Sequence, residues 1–567
     1  MLVAVATPSP GDLVLGTFSD DPPWEIDPAR LRWREGLDRR RAEVAAEVPR
    51  LVKPAVVPPV GRLLVTLFHL GPALGPWLAA RKWRARRHGG PPDNGPGSVA
   101  DLARRLRRAA ERLGPAYIKL GQIISAGEGV FPEALVAEFK LCRDRVAPES
   151  TADIRRVVEE DLGRPLGEVF AGFEPVPVAA ASIAQVHGAV LASGERVVAK
   201  VQRPAVARRV RADLAVMAWL APRFVGRIPV AALANPPALV ELFAETIAEE
   251  LDFRLEADNM LDVARSLAEL DQRSYVVPRP HPELVTRRVL VMERFSGLAF
   301  DDVEGMRRAG VDTVGLVRAG MISFLEGATL HGIFHGDLHG GNLFVLPAEP
   351  ASGGGRGSTA RTALLDFGIT GRLDEPRRRA FLRLLIGATV NDVRGQLGAL
   401  RDLGALPADT DLEAVIADLG LAGPIVDPTT LSPEELVSEI QRTVKALLGY
   451  GARMPKELML FVKNLVFLDG AIATLAPDLD LFAEITAVAN HFASTHGARI
   501  FGDVGFDPTR SRVDLTGVKA SFGLEASTET LTYRDLQARR AVIRERLAKR
   551  EATAERRTAK RRHRPRH

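Results

Sequence analysis

The chain has 567 residues, 46% of them hydrophobic, and a formal net charge of +5. This length and composition predict a globular protein with two or three domains or lobes. The single cysteine, Cys142, excludes a disulfide framework and a cysteine-rich zinc site, so we expect any bound metal to have oxygen ligands. The N-terminus lacks the basic start and long apolar core of a secretory signal, and we therefore expect no export.

Positive charge is concentrated at the end of the chain. Residues 534–566 carry 14 Lys or Arg against 4 Asp or Glu, which leaves the rest of the chain near −5. Such a tail can bind the phosphates of anionic lipid or nucleic acid. The favoured interpretation is a solvated and partly helical extension. We therefore predict a basic C-terminal tail over 501–567 and no specific nucleic-acid partner.

An apolar segment lies near the N-terminus. Residues 63–80 contain no Lys, Arg, Asp or Glu and are followed by the basic run RKWRARRH. Their length just reaches that of a membrane-spanning helix, but Gly-Pro pairs at 71–72 and 75–76 are expected to interrupt a helix. Two interpretations stay open: an interfacial segment with basic flanks, and a buried hairpin of helices. The rest of 1–97 is predicted to be a variable, Pro-rich and irregular segment.

Helical patterns begin after the Pro- and Gly-rich boundary at 91–98. Ser98 is suited to cap the first helix, which Gly114 and Pro115 end. A second helix carries the sequence AYIKLGQIIS, and a third contains FPEALVAEF. We therefore predict a helical region over 98–170.

The pattern then changes to strands. Residues 175–202 alternate apolar positions around a small-residue loop and a Ser-Gly-Glu turn, which predicts a β-hairpin and a strand ending near Lys200. Residues 210–270 are helical again. The run VLVMERFSG, 289–297, is an apolar strand that ends at Gly297 and is suited to a hinge whose backbone binds an adenine edge. This order of elements is typical of a kinase N-terminal lobe.

Several charged residues in this order have the chemistry that ATP needs. Lys200 in VVAK is predicted to contact the α- and β-phosphates, and a helical carboxylate is predicted to hold that Lys. Glu256 is favoured for this role over Glu249. After the strand ALLDFG, Asp366 precedes Gly368 at a position where a carboxylate can bind Mg²⁺.

A glycine-punctuated stretch, HGIFHGDLHGGNLFV, separates an apolar helical run from an apolar strand. Asp337 is suited to orient an acceptor hydroxyl and Asn342 to bind Mg²⁺, five residues apart in one loop. Alone, the stretch would indicate no more than an ordinary turn, because Asn, Asp and Gly are common loop residues. The four elements together, in the right order, predict a site for ATP and Mg²⁺.

The chain resembles the UbiB family of atypical kinases, also called AarF or ADCK kinases, over about residues 98–500. The sequence IKLGQ is similar to the KxGQ motif of the family, AAAS at 179–182 to its alanine-rich loop, and ELD at 250–252 to its ExD motif. The resemblance implies an α+β, bilobal protein-kinase-like fold with a helical extension, 98–170, over the nucleotide cleft. The N-lobe would span 171–298 and the C-lobe 299–500.

The predicted site residues fall into four groups. The catalytic residue is Asp337, and the metal ligands are Asn342 and Asp366. The nucleotide-binding residues are Ala179, Ala180, Ala181, Ser182, Lys200, Glu256 and Glu293. The resemblance adds a lid formed by Lys119, Gly121, Gln122, Glu250 and Asp252, in which Lys119 and Gln122 would contact Glu250 and Asp252.

The carboxylates of the ExD region pose a geometric problem. On one regular helix, Asp252 and Glu256 would share a face while Glu250 would point elsewhere. Either the helix is irregular there, or one acid faces the lid. The alanine loop differs from a glycine loop because each Cβ disfavours left-handed backbone by about 1–2 kcal/mol, so we expect it to contact ATP differently.

Two departures from the family pattern qualify the resemblance. The family usually has a basic residue after the Ser that ends the KxGQ helix, whereas this chain has Ala126 after Ser125. An insertion at 347–361, rich in Gly and Ser, is predicted to be an exposed and flexible hairpin tip without a catalytic role.

The loop chemistry favours a small or lipid substrate over a protein. In protein kinases an Arg before the catalytic Asp anchors a phosphorylated activation loop, whereas Gly336 occupies that position here. A helix is predicted within about ten residues of Asp366, which leaves no long activation segment. His339, two residues after Asp337, is more typical of small-molecule kinases.

The resemblance implies a kinase or ATPase that supports isoprenoid quinone or lipid metabolism at a membrane. Its expected partners are a nucleotide, a lipid or isoprenoid small molecule and an anionic membrane surface. Its expected location is cytoplasmic, or peripheral on the inner face of the plasma membrane. Two alternatives stay open: a soluble small-molecule phosphotransferase, and a nucleotide-gated scaffold without turnover.

Overall fold

A computed structural model describes the chain in two compact units. The described residues are 31–545 apart from 56, 58, 89–97, 127–132, 143–147, 225–235, 348–359, 391, 422–445, 447–448, 453–454, 507–518, 520–523, 526 and 543–544. Unit 1 comprises Met1–Ala268, Val276–Gly297 and Ala363–Ile369, and unit 2 comprises Glu269–Tyr275, Leu298–Thr362 and Thr370–His567. The predicted hairpin tip at 347–361 and most of the basic tail lie outside the described residues.

Unit 1 combines helices with an antiparallel sheet. Its helices are Leu37–Leu51, Val60–His88, Val99–Leu113, Pro115–Ala126, Glu133–Lys140, Thr151–Leu162, Leu166–Val169, Val206–Phe224, Pro236–Glu250 and Phe253–Glu269, with a short 3-10 helix at Arg32–Arg34. Its strands are β1 (Phe170–Phe173), β2 (Ala179–Ala180), β3 (Ala184–Leu191), β4 (Arg196–Gln202), β6 (Pro280–Val285) and β7 (Val289–Glu293). A short strand, β5 (Tyr275–Val276), lies where the chain passes between the units.

The sheet of unit 1 has the order β1-β3-β4-β7-β6, and β2 pairs with β3. The hairpin between β3 and β4 turns at Gly194, whose φ of +88° suits a residue without a Cβ. Apolar side chains of β4, such as Val197, Ala199 and Val201, pack on the buried face of helix Thr151–Leu162. Because side chains alternate along a strand, Lys200 points to the opposite face.

The helices of the predicted 98–170 region begin and end where local signals place them. The Ser98 side chain accepts a hydrogen bond from the Asp101 amide, as an N-cap residue does. Gly114 follows the first helix, and Pro115 begins the next. Capping and proline positions are read from a few adjacent residues, so these boundaries are accessible to sequence reasoning.

The prediction of an irregular N-terminal segment is wrong for the described part of 31–88. Helix Leu37–Leu51 buries Leu37 and Val44, and Val60–His88 is one helix that continues through Pro72 and Pro76. It is therefore neither interrupted at these prolines nor folded into a hairpin.

Packing explains why the long helix survives its two prolines. Trp77 is buried and donates a hydrogen bond from Nε1 to the Ser98 carbonyl at 2.9 Å. Near the other end, Arg62 binds the buried Asp213 carboxylate and the Leu113 carbonyl. These anchors along its length offset the local cost of a helical proline, which is about 3 kcal/mol.

Unit 2 is mainly helical. Its helices are Val303–Arg308, Thr313–Glu326, Glu375–Thr389, Val393–Asp402, Leu412–Leu419, Lys456–Leu475 and Leu481–Val504, with a π-helix at Gly327–His331, a 3-10 helix at Gly340–Asn342 and a last helix over 533–542. Its strands are β8 (Leu298–Ala299), β9 (Ile333–His335), β10 (Leu343–Leu346) and β12 (Thr370–Arg372), and β11 (Arg361–Leu364) leads back to unit 1. β9 pairs with β12, and β10 with β8.

The centre of unit 2 is aromatic. The ring of Phe461 lies 4.8 Å from that of Phe324 and 4.4 Å from that of Phe381, measured between centroids. Phe334, on β9, contacts both Phe324 and Phe461 edge-on. Helix Lys456–Leu475 is therefore packed firmly against the strand that leads into the predicted catalytic loop.

Among the described residues, two helices are long and apolar enough to cross a membrane by length and composition alone. They are the Val60–Ala80 part of the first long helix and Lys456–Leu475. The second packs in the aromatic core of unit 2 through Phe461 and contains the fully buried Asn464. One face of this helix therefore packs in the core of that unit.

Candidate nucleotide and phosphoryl-transfer site

Lys200 is the centre of a buried charge cluster in unit 1. Its ammonium lies 2.7 Å from Glu256 Oε1 and 3.1 Å from Asp366 Oδ1. The predicted pairing of Lys200 with Glu256 is therefore present, and Glu249, the alternative, does not take this place. Lys200 and Glu256 are nearly fully buried, whereas 48% of the Asp366 side chain is exposed. The exposed carboxylate is the one that can receive a metal from solvent.

Burial and charge set the protonation of this cluster. Burial alone would lower the pKa of Lys200, but the charges of Asp366 and Glu256 outweigh it and raise that pKa. Burial raises the pKa of Glu256 to about 7, assisted by the charge of Asp366 and opposed by that of Lys200. Lys200 is therefore positive at neutral pH, and Glu256 titrates near neutrality.

The backbone of Asp366 has a conformation that few residues adopt. Its φ is +59°, in the left-handed region, and its Oδ1 accepts a hydrogen bond from the Gly368 amide at 3.2 Å. The Asn259 side chain donates to the Phe367 carbonyl at 2.9 Å and so fixes the same turn. Asp tolerates left-handed backbone better than most residues, and such strain is typical of functional positions.

The KxGQ helix, Pro115–Ala126, contacts the ExD region through Lys119. The Lys119 ammonium lies 2.8 Å from Glu250 Oε1, and both side chains are largely buried. Gln122 is one turn further along the same face of the helix. A Cβ on Gly121 would overlap the ring of Phe139 on helix Glu133–Lys140. The glycine of this motif is thus required for close packing of two helices.

The three carboxylates of the ExD region are separated by a break between helices. One helix ends at Glu250 and the next begins at Phe253, so Asp252 lies between them. This irregularity lets Glu250 bind Lys119 while Glu256 binds Lys200.

The expected contact of Asp252 with Lys119 and Gln122 is not what the structure shows. Asp252 accepts two hydrogen bonds from the Arg254 guanidinium, at 2.9 and 2.7 Å, and lies 3.5 Å from Arg40. The position of Asp252 outside both helices turns its carboxylate towards these arginines. The sequence reasoning missed both. Arg254 is only two residues after Asp252 in the sequence, so a local pairing could have been predicted. No local signal indicates Arg40.

The alanine loop is the closed end of a hairpin. Ala179 and Ala180 form β2, opposite Val186 and Gln185, and the Ala181 amide donates to the Ala184 carbonyl at 2.9 Å. None of residues 179–182 has a positive φ. The Cβ atoms therefore coexist with ordinary backbone conformations, and the Ala181 amide is used within the hairpin.

Arg203 holds this hairpin end from the other side and was also missed. Its Nε donates to the Ala181 carbonyl at 3.0 Å, and its Nη1 to Glu149 Oε1 at 2.9 Å. Ser182 is buried beside them. A buried guanidinium thus links the loop to Glu149.

Glu293 is less suited to bind adenine than the sequence suggested. Its amide donates to the Arg279 carbonyl at 2.9 Å, and its buried carboxylate accepts from Arg279 Nε at 3.1 Å. We therefore expect the adenine-binding backbone groups to come after the end of β7.

The predicted catalytic loop lies wholly in unit 2. The Asp337 amide donates to Nδ1 of the buried His335 at 3.1 Å, and Asn342 Nδ2 donates to the Asp337 carbonyl at 3.0 Å. This bond uses the amide nitrogen of Asn342, so its oxygen is the atom suited to a metal. His339 Nδ1 accepts from the Gly341 amide and caps the 3-10 helix. His339 therefore shapes the loop.

Two further residues of this loop environment were missed because they are distant in sequence. Asn464 accepts from the Leu338 amide at 3.1 Å and donates to the His335 carbonyl. Its neighbour Lys463 donates to Asp337 Oδ1. A Lys-Asn pair inside an apolar helix is a weak signal, which the sequence analysis did not use.

Glu326 with His491 and His496 is a group of possible metal ligands elsewhere in unit 2. Both imidazoles bind the same atom, Glu326 Oε1, at 2.6 and 2.8 Å, and Gln272 donates to the other oxygen. Burial alone would raise the pKa of Glu326, but these hydrogen bonds hold it below its usual range. The carboxylate is thus satisfied by hydrogen bonds.

Comparison with known proteins supports the family indicated by these motifs. A family model described as an ABC1 atypical kinase-like domain matches residues 141–397. A "Probable protein kinase UbiB" of Marinobacter nauticus is 31% identical over 385 residues, covering 67% of this chain and 68% of the relative. The chain belongs to the UbiB family of atypical kinases. It therefore has an α+β protein-kinase-like fold.

Other relatives agree with the UbiB assignment. A Mycobacterium tuberculosis protein, named as uncharacterised, is 36% identical over 423 residues, covering 72% of this chain and 82% of the relative. An aarF domain-containing protein kinase of Arabidopsis thaliana is 30% identical over 404 residues, covering 67% and 73%.

Two solved structures overlap this chain with low scores. One is the complex of Rv3197 with erythromycin from M. tuberculosis, with a TM-score of 0.34 and 21% identity; the match covers 63% of this chain and 91% of that chain. The other is the Rio2 kinase–ADP/Mg²⁺–phosphoaspartate complex from Chaetomium thermophilum, with a TM-score of 0.25 and 12% identity; the match covers 64% of this chain and 98% of that chain. At these scores the likeness carries no argument about function.

Proposed function

We propose that this UbiB-family chain is a Mg²⁺-dependent enzyme that transfers the γ-phosphoryl group of ATP to water or to a small acceptor. The observation that carries the proposal is the Lys200 cluster, in which a buried, positive Lys lies between Glu256 and the half-exposed Asp366. A buried cation suits nucleotide phosphates, and an exposed carboxylate beside it suits a metal.

The proposed roles follow from chemistry. Lys200 binds phosphate oxygens, and Glu256 orients it. Asp366 would offer a carboxylate oxygen to Mg²⁺, which would neutralise phosphate charge. Asp337 accepts the proton of the acceptor, which is a hydroxyl group or water. The acceptor oxygen attacks the γ-phosphorus, and ADP leaves. Lys119 and Glu250 join the KxGQ helix to helix Pro236–Glu250 within unit 1.

Turnover of ATP by the purified full chain tests the proposal. Wild type should release ADP with Mg²⁺, and Asp337→Asn should lower turnover by a factor on the order of 10² or more while keeping the thermal shift caused by ATP and Mg²⁺. A wild type that is stabilised by ATP without turnover would instead support the scaffold alternative. A wild type that shows neither a thermal shift with ATP and Mg²⁺ nor any turnover would contradict the proposal.

We further propose that the protein acts at a membrane on a lipid or isoprenoid compound, as the family resemblance implies. One face of helix Val60–His88 supports the membrane part. Leu63 and Trp77 are buried, whereas on the opposite side Leu64 is 62% and Phe68 is 74% exposed. The exposed apolar side chains of this helix are Val60, Leu64, Val65, Leu67, Phe68, Leu78 and Trp83. An apolar stripe followed by a basic run suits an anionic lipid surface.

Vesicle flotation distinguishes this proposal from a soluble phosphotransferase. Wild type should float with vesicles that contain phosphatidylglycerol and less with phosphatidylcholine alone, and the double variant Leu64→Ser/Phe68→Ser should lose this binding. Phe501→Ser is the matched control, because Phe501 is 57% exposed on a helix of unit 2. Equal flotation of all three proteins would contradict a role for the Val60–His88 face.

A further inference from the structure

A cation lies beside the proposed base in unit 2. The Lys463 ammonium donates to Asp337 Oδ1, and only 22% of the Lys463 side chain and 17% of the Asp337 side chain are exposed. A pair with this degree of burial is less screened by water than a surface salt bridge. The Lys463 ammonium is therefore a partly shielded counter-charge in direct contact with the Asp337 carboxylate.

The position of Lys463 is set by the helix that carries it. Phe461, two residues earlier, packs among the aromatic rings of Phe324 and Phe381. Asn464, the next residue, is fully buried and bonds to the backbone on both sides of Asp337, at His335 and Leu338. The helix is thus fixed by packed residues on both sides of Lys463, and this places Lys463 next to the loop.

A purely structural role does not account for Lys463. The backbone around Asp337 is already held by Asn464 and by the bonds of the Asp337 amide and carbonyl to His335 and Asn342. These bonds are to the main chain, whereas Lys463 donates to the carboxylate itself. Lys463 adds a charge to that carboxylate, and charge is what a phosphoryl-transfer step requires at this point.

We infer that Lys463 is a further catalytic residue of the proposed reaction. Its ammonium pairs with Asp337 when no substrate is bound and contacts the oxygens of the transferring phosphoryl group during turnover. This inference rests on the proposed function, because it requires Asp337 to be the base.

The step is balanced without a further reactant. The acceptor O–H proton passes to the Asp337 carboxylate, the acceptor oxygen forms a bond to the γ-phosphorus, and the bond from that phosphorus to the bridging oxygen of ADP breaks. Lys463 supplies charge to the phosphoryl oxygens and exchanges no atom in the step.

The test compares Lys463→Met, which removes the charge, with Lys463→Arg, which keeps it. We expect Lys463→Met to lower kcat by about 10²-fold, the scale of one lost transition-state donor, and to change the KM for ATP by less than about 3-fold. Lys463→Arg should recover kcat to within about 10-fold of wild type.

Lys456→Met, on the same helix, is the matched control and should retain wild-type turnover. Wild-type kcat in Lys463→Met would overturn the inference while leaving the proposed function standing. Loss of activity together with a large fall in Tm, without rescue by Lys463→Arg, would show a structural role and overturn it as well. A wild type without turnover contradicts the proposed function, and the inference with it.

Discussion

In unit 1, Lys200 lies between two carboxylates, and these side chains hold one another in place. In unit 2, Lys463 lies beside Asp337, while a neutral amide, Asn464, holds the backbone of the loop. In unit 1, therefore, the same side chains fix the geometry of the cluster and supply its charge. In unit 2, Asn464 fixes the geometry of the loop and Lys463 supplies the charge. Substitutions of the buried members of the first cluster, Lys200 and Glu256, should change fold stability and chemistry together, whereas substitutions in the second cluster should separate them.

The largest effect is expected for Lys200→Met. Removing one partner of a buried ion pair costs about 3–5 kcal/mol, because the remaining charge loses its compensation. Glu256 can escape part of this cost by protonation, since its pKa is already raised from 4.5 to about 7. Urea unfolding at pH 6 and pH 8 measures the two contributions.

The direction of the pH dependence follows from the raised pKa of Glu256. A carboxyl whose folded-state pKa exceeds its unfolded value binds more protons when folded, so stability falls as pH rises from about 4.5 through the folded pKa. Without Lys200 that pKa should rise further, and the variant should lose more stability at pH 8 than at pH 6. An equal loss at both pH values would show that Glu256 does not titrate there.

Asn464→Ala should have the next largest effect. It leaves the buried Leu338 amide and His335 carbonyl without this partner, at a total cost of about 2–4 kcal/mol. Thermal unfolding measures the loss, and Lys463→Met, one residue away, should lose far less. If the two variants unfold alike, geometry and charge are not separate in unit 2.

Gly121→Ala tests how tightly the KxGQ helix of the unit 1 lid packs against helix Glu133–Lys140. The new Cβ would overlap the Phe139 ring, and overpacking of this kind costs about 1–3 kcal/mol. Gly470→Ala is the matched control, because that helical glycine has nothing within 4 Å of an added Cβ. Thermal unfolding should show a loss for the first variant and none for the second.

Asp366→Asn should change stability least, by less than about 1 kcal/mol, because the carboxylate is half exposed and Asn tolerates the same left-handed backbone. It should nevertheless remove the Mg²⁺-dependent part of the thermal shift caused by ATP. Asp366→Ala adds backbone strain of about 1–2 kcal/mol to the same loss. An undiminished shift in Asp366→Asn would exclude Asp366 as the metal ligand.

Sequence reasoning reached the parts of the fold and site that depend on neighbouring residues. The strand with Lys200, the helix with Glu256 and the cap at Ser98 are all present, because hydrophobic period and capping chemistry act over a few residues. The helix that begins at Glu375 likewise confirms that no long segment follows Asp366.

The misses share one physical origin. Helix Val60–His88 continues through Pro72 and Pro76 because distant residues anchor it, and Asp252 binds Arg40, which precedes it by more than two hundred residues. In both cases tertiary contacts outweigh the local preference on which the prediction relied.

The sequence by itself determined which reactive groups are present and on which elements they lie. The order of Lys200, Glu256, Asp337 and Asp366 along the chain indicated a site for ATP and Mg²⁺, and the motifs IKLGQ, AAAS and ELD indicated the family, because each motif is local. Only the tertiary structure decided the partners of these groups: Glu250 for Lys119, Arg254 and Arg40 for Asp252, and Lys463 for Asp337. Lys463 is 126 residues from Asp337, and such a pairing depends on how whole helices pack, which local sequence patterns do not encode.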